Sequence, residues 1–168
     1  MNASLPHTRW VVTADGRQAA LFRCRTTPAL EFHLDHVRTL RNEHEADPEQ
    51  HRPSQLGGAE RKGDRNRSGA RAAPHSASFD RETDEQRRRF AREMGEWLAD
   101  ATRELGAPYV SVVAAPRLFG LLREELPRHP NLHAELHEGE LSHLGSAELA
   151  SHPTVRGVLL SSPEAAQR

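Results

Sequence analysis

The sequence predicts one α/β domain built on a single mixed β-sheet of about five strands, flanked by helices. Three observations carry that prediction. Two short apolar runs flank a turn signal near the start, and an amphipathic helical repeat runs through residues 90–105. A strand–helix–strand alternation then follows, and such connectivity argues for helices packed on one sheet. A length of 168 residues suits one domain. Its expected bounds are 1–154, with 155–168 as a C-terminal tail lacking a clear pattern.

Residues 9–25 read as a hairpin. Trp10, Val11 and Val12 form one β-type run, Ala19 to Phe22 form another, and Asp15-Gly16 between them signals a tight turn. A third strand is expected over 30–40, where period-two alternation puts Phe32, Leu34, His36 and Arg38 on one face. The other face, with His33, Asp35 and Val37, is mixed, which suggests a sheet edge. Helical structure is expected from Asp80, capped by Thr83 with Gln86 three residues on. Phe90, Met94, Trp97, Leu98, Ala101 and Leu105 form its apolar stripe, and Gly106 and Pro108 end it. Phe90, Trp97 and Leu98 should pack on the sheet. The run YVSVVAA at 109–115 reads as a central strand covered on both faces. Pro116 opens a second helix, Leu132 to His137 alternate as a half-exposed strand, and a short helix is expected near 146–151.

Between these elements lies a different kind of chain. From 42 to 78, within a polar loop set at about 42–79, the only large aliphatic residue is Leu56. Such a segment cannot bury enough apolar surface to offset an ordering cost of roughly 1–2 kcal/mol per residue, and it is expected to be disordered. It is locally basic: Arg52, Arg61, Lys62, Arg65, Arg67 and Arg71 stand against Glu60 and Asp64 between residues 51 and 75. Gly57, Gly58, Arg61, Lys62, Arg65, Arg67 and Arg71 are the candidate RNA- or partner-binding residues. Arginine-rich segments of this kind order against RNA phosphates or an acidic partner. No aromatic residue interleaves with these arginines, which removes base stacking from the reading.

The whole chain is otherwise neutral, with 23 basic and 24 acidic residues, so no bulk field draws it to nucleic acid or membrane. A hydrophobic fraction of 36% against 28% charged residues is too polar for a chain packed throughout. The single cysteine, Cys24, excludes an internal disulfide and reads as a small core residue. No apolar run reaches the roughly 20 residues that span a bilayer. The opening MNASLPHTRWVV carries no secretory pattern, so a cytoplasmic location without membrane insertion is expected. Chemistry-bearing motifs are absent: there is no P-loop, no dinucleotide fingerprint and no nucleophile elbow. His129, His133 and His137 recur at steps of four but lack partners at a ligand spacing, so no metal or cofactor is expected. Asp15 reads as a turn residue rather than the first carboxylate of a two-metal nuclease, because 109–115 offers no second acid.

Five stretches, taken in order, resemble the bacterial host attachment protein family, described as proteins required for attachment to host cells. They are WVVTADGRQAALFRC, the polar loop, RRRFAREMGEWLADATRELG, YVSVVAAPRLFGLLREEL and LHAELHEGELSHLGSAEL, together covering roughly 9–150. That family is similar in turn to the middle domain of archaeal and eukaryotic class I release factors and their bacterial relatives. Arg89, Phe90, Ala91 and Arg92 match the helix of that pattern. The resemblance implies a ribonuclease H-like, release-factor middle-domain-like fold and translation-linked ancestry. In release factors a Gly-Gly-Gln loop serves peptidyl-tRNA hydrolysis; here Gly57-Gly58-Ala59 has no glutamine after the glycines, so no catalytic residue is carried over. The expected function is a non-enzymatic cytoplasmic binding module with a protein partner. The alternative is a ribosome- or tRNA-associated translation factor.

Overall fold

The computed structural model describes residues 9–27, 31–43, 75–107 and 109–161. Strand β1 (Arg9–Ala14) turns into β2 (Gln18–Thr26), which turns into β3 (Phe32–Arg41). Helix α1 (His75–Leu105), β4 (Val110–Ala114), α2 (Pro116–Glu125) and a single 3-10 turn (Leu126–Arg128) follow. The chain then forms β5 (Ala134–Glu138), α3 (Ser146–Ser151) and α4 (Pro153–Ser161). The five strands make one sheet in the order β3-β2-β1-β4-β5. β2 runs antiparallel to both β1 and β3, whereas β4 is parallel to both β1 and β5. This is the single mixed sheet that the sequence predicts.

The centre of the sheet is dry. Every residue of β4 is buried, as are Trp10 to Ala14 of β1. Alternation then divides the core between two faces. Trp10, Val12, Val110 and Val112 join Phe90, Met94, Leu98, Leu118 and Leu122 under α1 and α2. Val11, Val113, Phe22, Cys24, Phe32 and Leu34 join Leu149, Val155 and Leu159 under α3 and α4. Sheet and helices thus form three layers, with β1 and β4 in the middle of both cores.

β3 is an edge strand, as its mixed faces suggested, but its alternation breaks. Leu21 pairs with Arg38 while Phe22 pairs with His36, which leaves Val37 as an extra residue in a β-bulge. Phe32, Leu34 and His36 therefore share one face, and Arg38 moves to the other. There Arg38 reaches Glu104 of α1 at 2.7 Å. Sequence periodicity alone cannot register an inserted residue, because the flip appears only when the partner strand is known.

Two expectations about helix boundaries are corrected. α1 begins at His75, so Thr83 and Gln86 lie inside the helix and form no N-terminal capping box. The start was missed because no apolar stripe marks the first turns; residues 81–89 are exposed or half-buried. Along that polar stretch Arg87 pairs with Asp84 at 3.1 Å and Arg92 with Glu85 at 3.5 Å. Second, residues 155–161, assigned to the tail, belong to α4 (Pro153–Ser161). Val155, Val158 and Leu159 are its buried positions, at steps of three and one, and Arg156 lies over the Phe32 ring at 5.7 Å. Phe90 and Leu98 are buried as expected, while Trp97 is half-buried and packs on the margin of the core.

The α4 layer yields a direct test. Leu159 is fully buried, so Leu159→Ala should lower the unfolding free energy by about 2–5 kcal/mol, as large-to-small core changes do. Thermal denaturation measures it, and an unchanged midpoint would return these residues to a tail.

Candidate functional site

In open α/β sheets ligands gather outside the carboxyl ends of the strands where the strand order switches direction. Here β1 is that point, with β4 on one side and β2 on the other. The carboxyl ends of β1, β4 and β5 are drawn level by backbone bonds that continue past the strands. Ala115 N donates to Ala14 O and Gly139 N to Ala114 O, both at 2.9 Å. A Cβ on Gly139 would lie 2.8 Å from Val113 Cγ1, so only glycine lets the chain leave β5 this close to the buried sheet.

Above these ends lies a crevice of about 340 Å³. Its apolar lining comes from Phe90, Pro116 and Leu118, and its charged lining from Asp15, Arg87, Arg117 and Glu140. Pro116 starts α2 here, and no side chain caps that helix. Pro is suited to this first position because its missing N–H would find no partner there. Asp15 is committed elsewhere. Its Oδ1 accepts from Arg17 N at 2.7 Å and Gln18 N at 2.9 Å, closing the β1–β2 turn. Its Oδ2 accepts from Ser142 Oγ, 127 positions along the chain. Both oxygens thus serve structure, and the turn reading of Asp15 follows from its bonds.

The described chain leaves the sheet beside this crevice. Asn42 Nδ2 donates to Gly16 O at 2.8 Å, and Asn42 N donates to Arg17 O at 2.7 Å. The basic segment that follows, with Gly57, Gly58, Arg61, Lys62, Arg65, Arg67 and Arg71, lies outside the described residues.

Over this sheet the family described as "Protein required for attachment to host cells" matches residues 10–152. The chain belongs to that family. The match spans β1 through α3 and so includes the crevice, and it carries nothing of the release-factor likeness. No curated protein matches the chain. No described helix of this host attachment chain is long and apolar enough to cross a membrane.

Two further polar clusters in the host attachment fold were not foreseen. Between α1 and the end of α2, Glu125 and His129 have side chains only 12% and 19% exposed, with Glu125 Oε1 3.6 Å from His129 Nε2. Arg128 donates to Glu125 Oε2 at 2.9 Å. Gly95 makes room for the pair, since a Cβ there would lie 2.7 Å from His129 Nε2. On the β5 side, Tyr109 donates to Glu135 Oε2 at 2.7 Å, and Glu135 Oε1 lies 3.4 Å from His137 Nε2. Burial first, then the Glu135 carboxylate, holds the Tyr109 hydroxyl well above its ordinary pKa. The three regularly spaced histidines are separated by the fold: His129 lies against α1, while His133 and His137 lie along the β5 edge. No group of three metal-ligating side chains assembles among the described residues.

Cys24 sits in the core beneath α3 and α4, where burial pushes its thiol up to about 11. The thiolate is the reactive species, so this thiol is inert at neutral pH. It should resist thiol-modifying reagents in the folded protein and react once the chain is unfolded; equal rates in both states would contradict its burial. The raised value also has a sign. Its contribution to stability is intact below about pH 9, the ordinary value, and is lost as pH rises towards 11.

The role of Asp15 is tested by Asp15→Ala and Ser142→Ala. Hydrogen bonds to charged groups contribute about 1.5–3 kcal/mol, so Asp15→Ala should destabilise by that order. The double variant should cost less than the two single changes added together, because they share one bond. Strict additivity would show that the Asp15–Ser142 contact is not formed.

Proposed function

We propose that this host attachment family member is a non-enzymatic binding module, and that its contact surface is the crevice at the carboxyl ends of β1 and β4 together with the basic segment 57–71. The observation that carries the reading is the division of labour among the crevice's charges. Asp15 is spent on the turn and on Ser142, whereas Arg117 is exposed at the uncapped start of α2, with Arg87 in the same lining. Guanidinium groups beside a helix amino end favour an acidic partner. Asn42, which the basic segment follows in sequence, is tied to Gly16 in that lining.

The finer fold assignment belongs to the same proposal. An antiparallel three-strand meander continued by two parallel strands through a helical crossover supports a ribonuclease H-like reading. A cytoplasmic location is likewise part of it, and places the attachment role at one remove, through a protein partner. The ribosome- or tRNA-associated reading enters as an arm of the test.

The experiment is co-purification from cells, followed by ribosome co-sedimentation and tRNA titration at two salt concentrations. The variants are Arg87→Ser with Arg117→Ser, and a five-fold change of Arg61, Lys62, Arg65, Arg67 and Arg71 to Ser. An acidic protein partner should be lost with both sets while the melting midpoint holds. Salt-steep binding to RNA, with a slope that flattens by about 0.7–0.9 per phosphate contact removed, would replace the protein-partner reading with the translation-linked one. Partner capture that survives both sets of changes would overturn the proposed surface.

A further inference from the structure

The clefts of the described surface differ in charge. The crevice above the strand ends carries Asp15 and Glu140, and the groove between α1 and α2 carries Glu85, Glu124 and Glu125. Another, of about 390 Å³, lies between the last turns of α1 and the connection from α2 to β5. It contains no carboxylate. Arg103, Arg128, His129 and Asn131 supply its polar lining, and Ala107 and Leu132, each 8% exposed, contribute to its apolar wall. Its volume falls within the range of small-molecule sites, roughly 300–1,000 Å³.

We infer that this cleft is a binding site for a small amphiphilic anion, a carboxylate or phosphomonoester with a short apolar part. The site is separate from the crevice and does not rest on the function proposed for it. Each guanidinium is positioned by one acid outside the lining: Arg103 by Asp100 at 2.6 Å and Arg128 by Glu125 at 2.9 Å. One oxygen contact leaves most of the five N–H donors of each arginine for a ligand, in the fork geometry that suits carboxylate and phosphate oxygens. The side-chain amide of Asn131 adds a neutral donor.

The carboxyl end of α1 would oppose an anion if its carbonyls were bare. Two of them are paired: Gly106, at φ 61°, turns the chain so that Gly106 N donates to Arg103 O at 3.3 Å. Ala107 N donates to Thr102 O at 2.8 Å. His129 lines the cleft with its ring, while its Nε2, turned towards Gly95 and Glu125, is buried without a hydrogen-bond partner among the described residues. A buried polar atom left unpaired is costly, and at 3.6 Å Glu125 Oε1 is too far for a bond.

The probes are inorganic phosphate and butyrate, titrated into the full-length protein while the side-chain amide of Asn131 and the ring protons of His129 are followed by NMR. Saturable shifts at both residues are expected, and the tighter probe identifies the head group. Arg103→Gln removes an exposed side chain paired only with Asp100 among the described residues, so the fold is kept; it should weaken binding about tenfold. Arg88→Gln, in the acidic groove, should leave the affinity unchanged. Absence of saturable shifts with either probe, or an Arg103→Gln affinity equal to that of the parent, would overturn the assignment.

Discussion

The parallel pairing of β1 with β4 is the constraint from which the other features follow. Trp10 opposes Val110, Val12 opposes Val112 and Ala14 opposes Ala114 on one face; Val11, Thr13, Ser111 and Val113 fill the other. Because both strands are buried on both sides, each face needs its own helical cover. α1 and α2 supply one, and α3 and α4 the other. Without α4, Val11 and Val113 would lose Val155 and Leu159 as neighbours in their core. This explains why a segment expected to be a tail is drawn into the fold.

The same pairing creates the surface features. Parallel strands end together, so the carboxyl ends of β1, β4 and β5 form a level rim on which the β1–β2 turn and the start of α2 meet. Asp15 ties that turn to Ser142 across the rim and so links the first hairpin to the segment after β5. At the opposite end of α1, Gly95 and Gly106 allow two close arrangements that a side chain would prevent or strain. One seats His129 against the helix, and the other pairs two of the helix carbonyls beside the anion cleft.

Much of the sheet was legible in the sequence, and the reason is local. YVSVVAA and WVV are continuous apolar runs and the Phe90 to Leu105 stripe keeps one helical period, so their burial follows from the local sequence. Arg38 was misplaced because a bulge at Val37 is a property of a strand pair, not of a strand. The first turns of α1 went unseen because a polar helix segment carries no apolar period. α4 is different, since Val155, Val158 and Leu159 stand at helical spacing, but over too short a run to set a period. The polar site was hardly legible. Asp15 and Ser142 meet across 127 positions, and Arg103 meets Arg128 and His129 only through the packing of α1 on the end of α2. Family resemblance found what spacing could not, but it assigned no residue a role.

The central claim is that β1 and β4 form the most deeply held part of the molecule. Native-state hydrogen exchange tests it most directly, because amides in the last structure to open exchange only through global unfolding. The amides of Val11, Val12, Val112 and Val113 should show a common opening free energy equal to that of global unfolding, while those of the edge strands β3 and β5 exchange through smaller openings. Exchange at β1 and β4 as fast as at the edges would contradict the account.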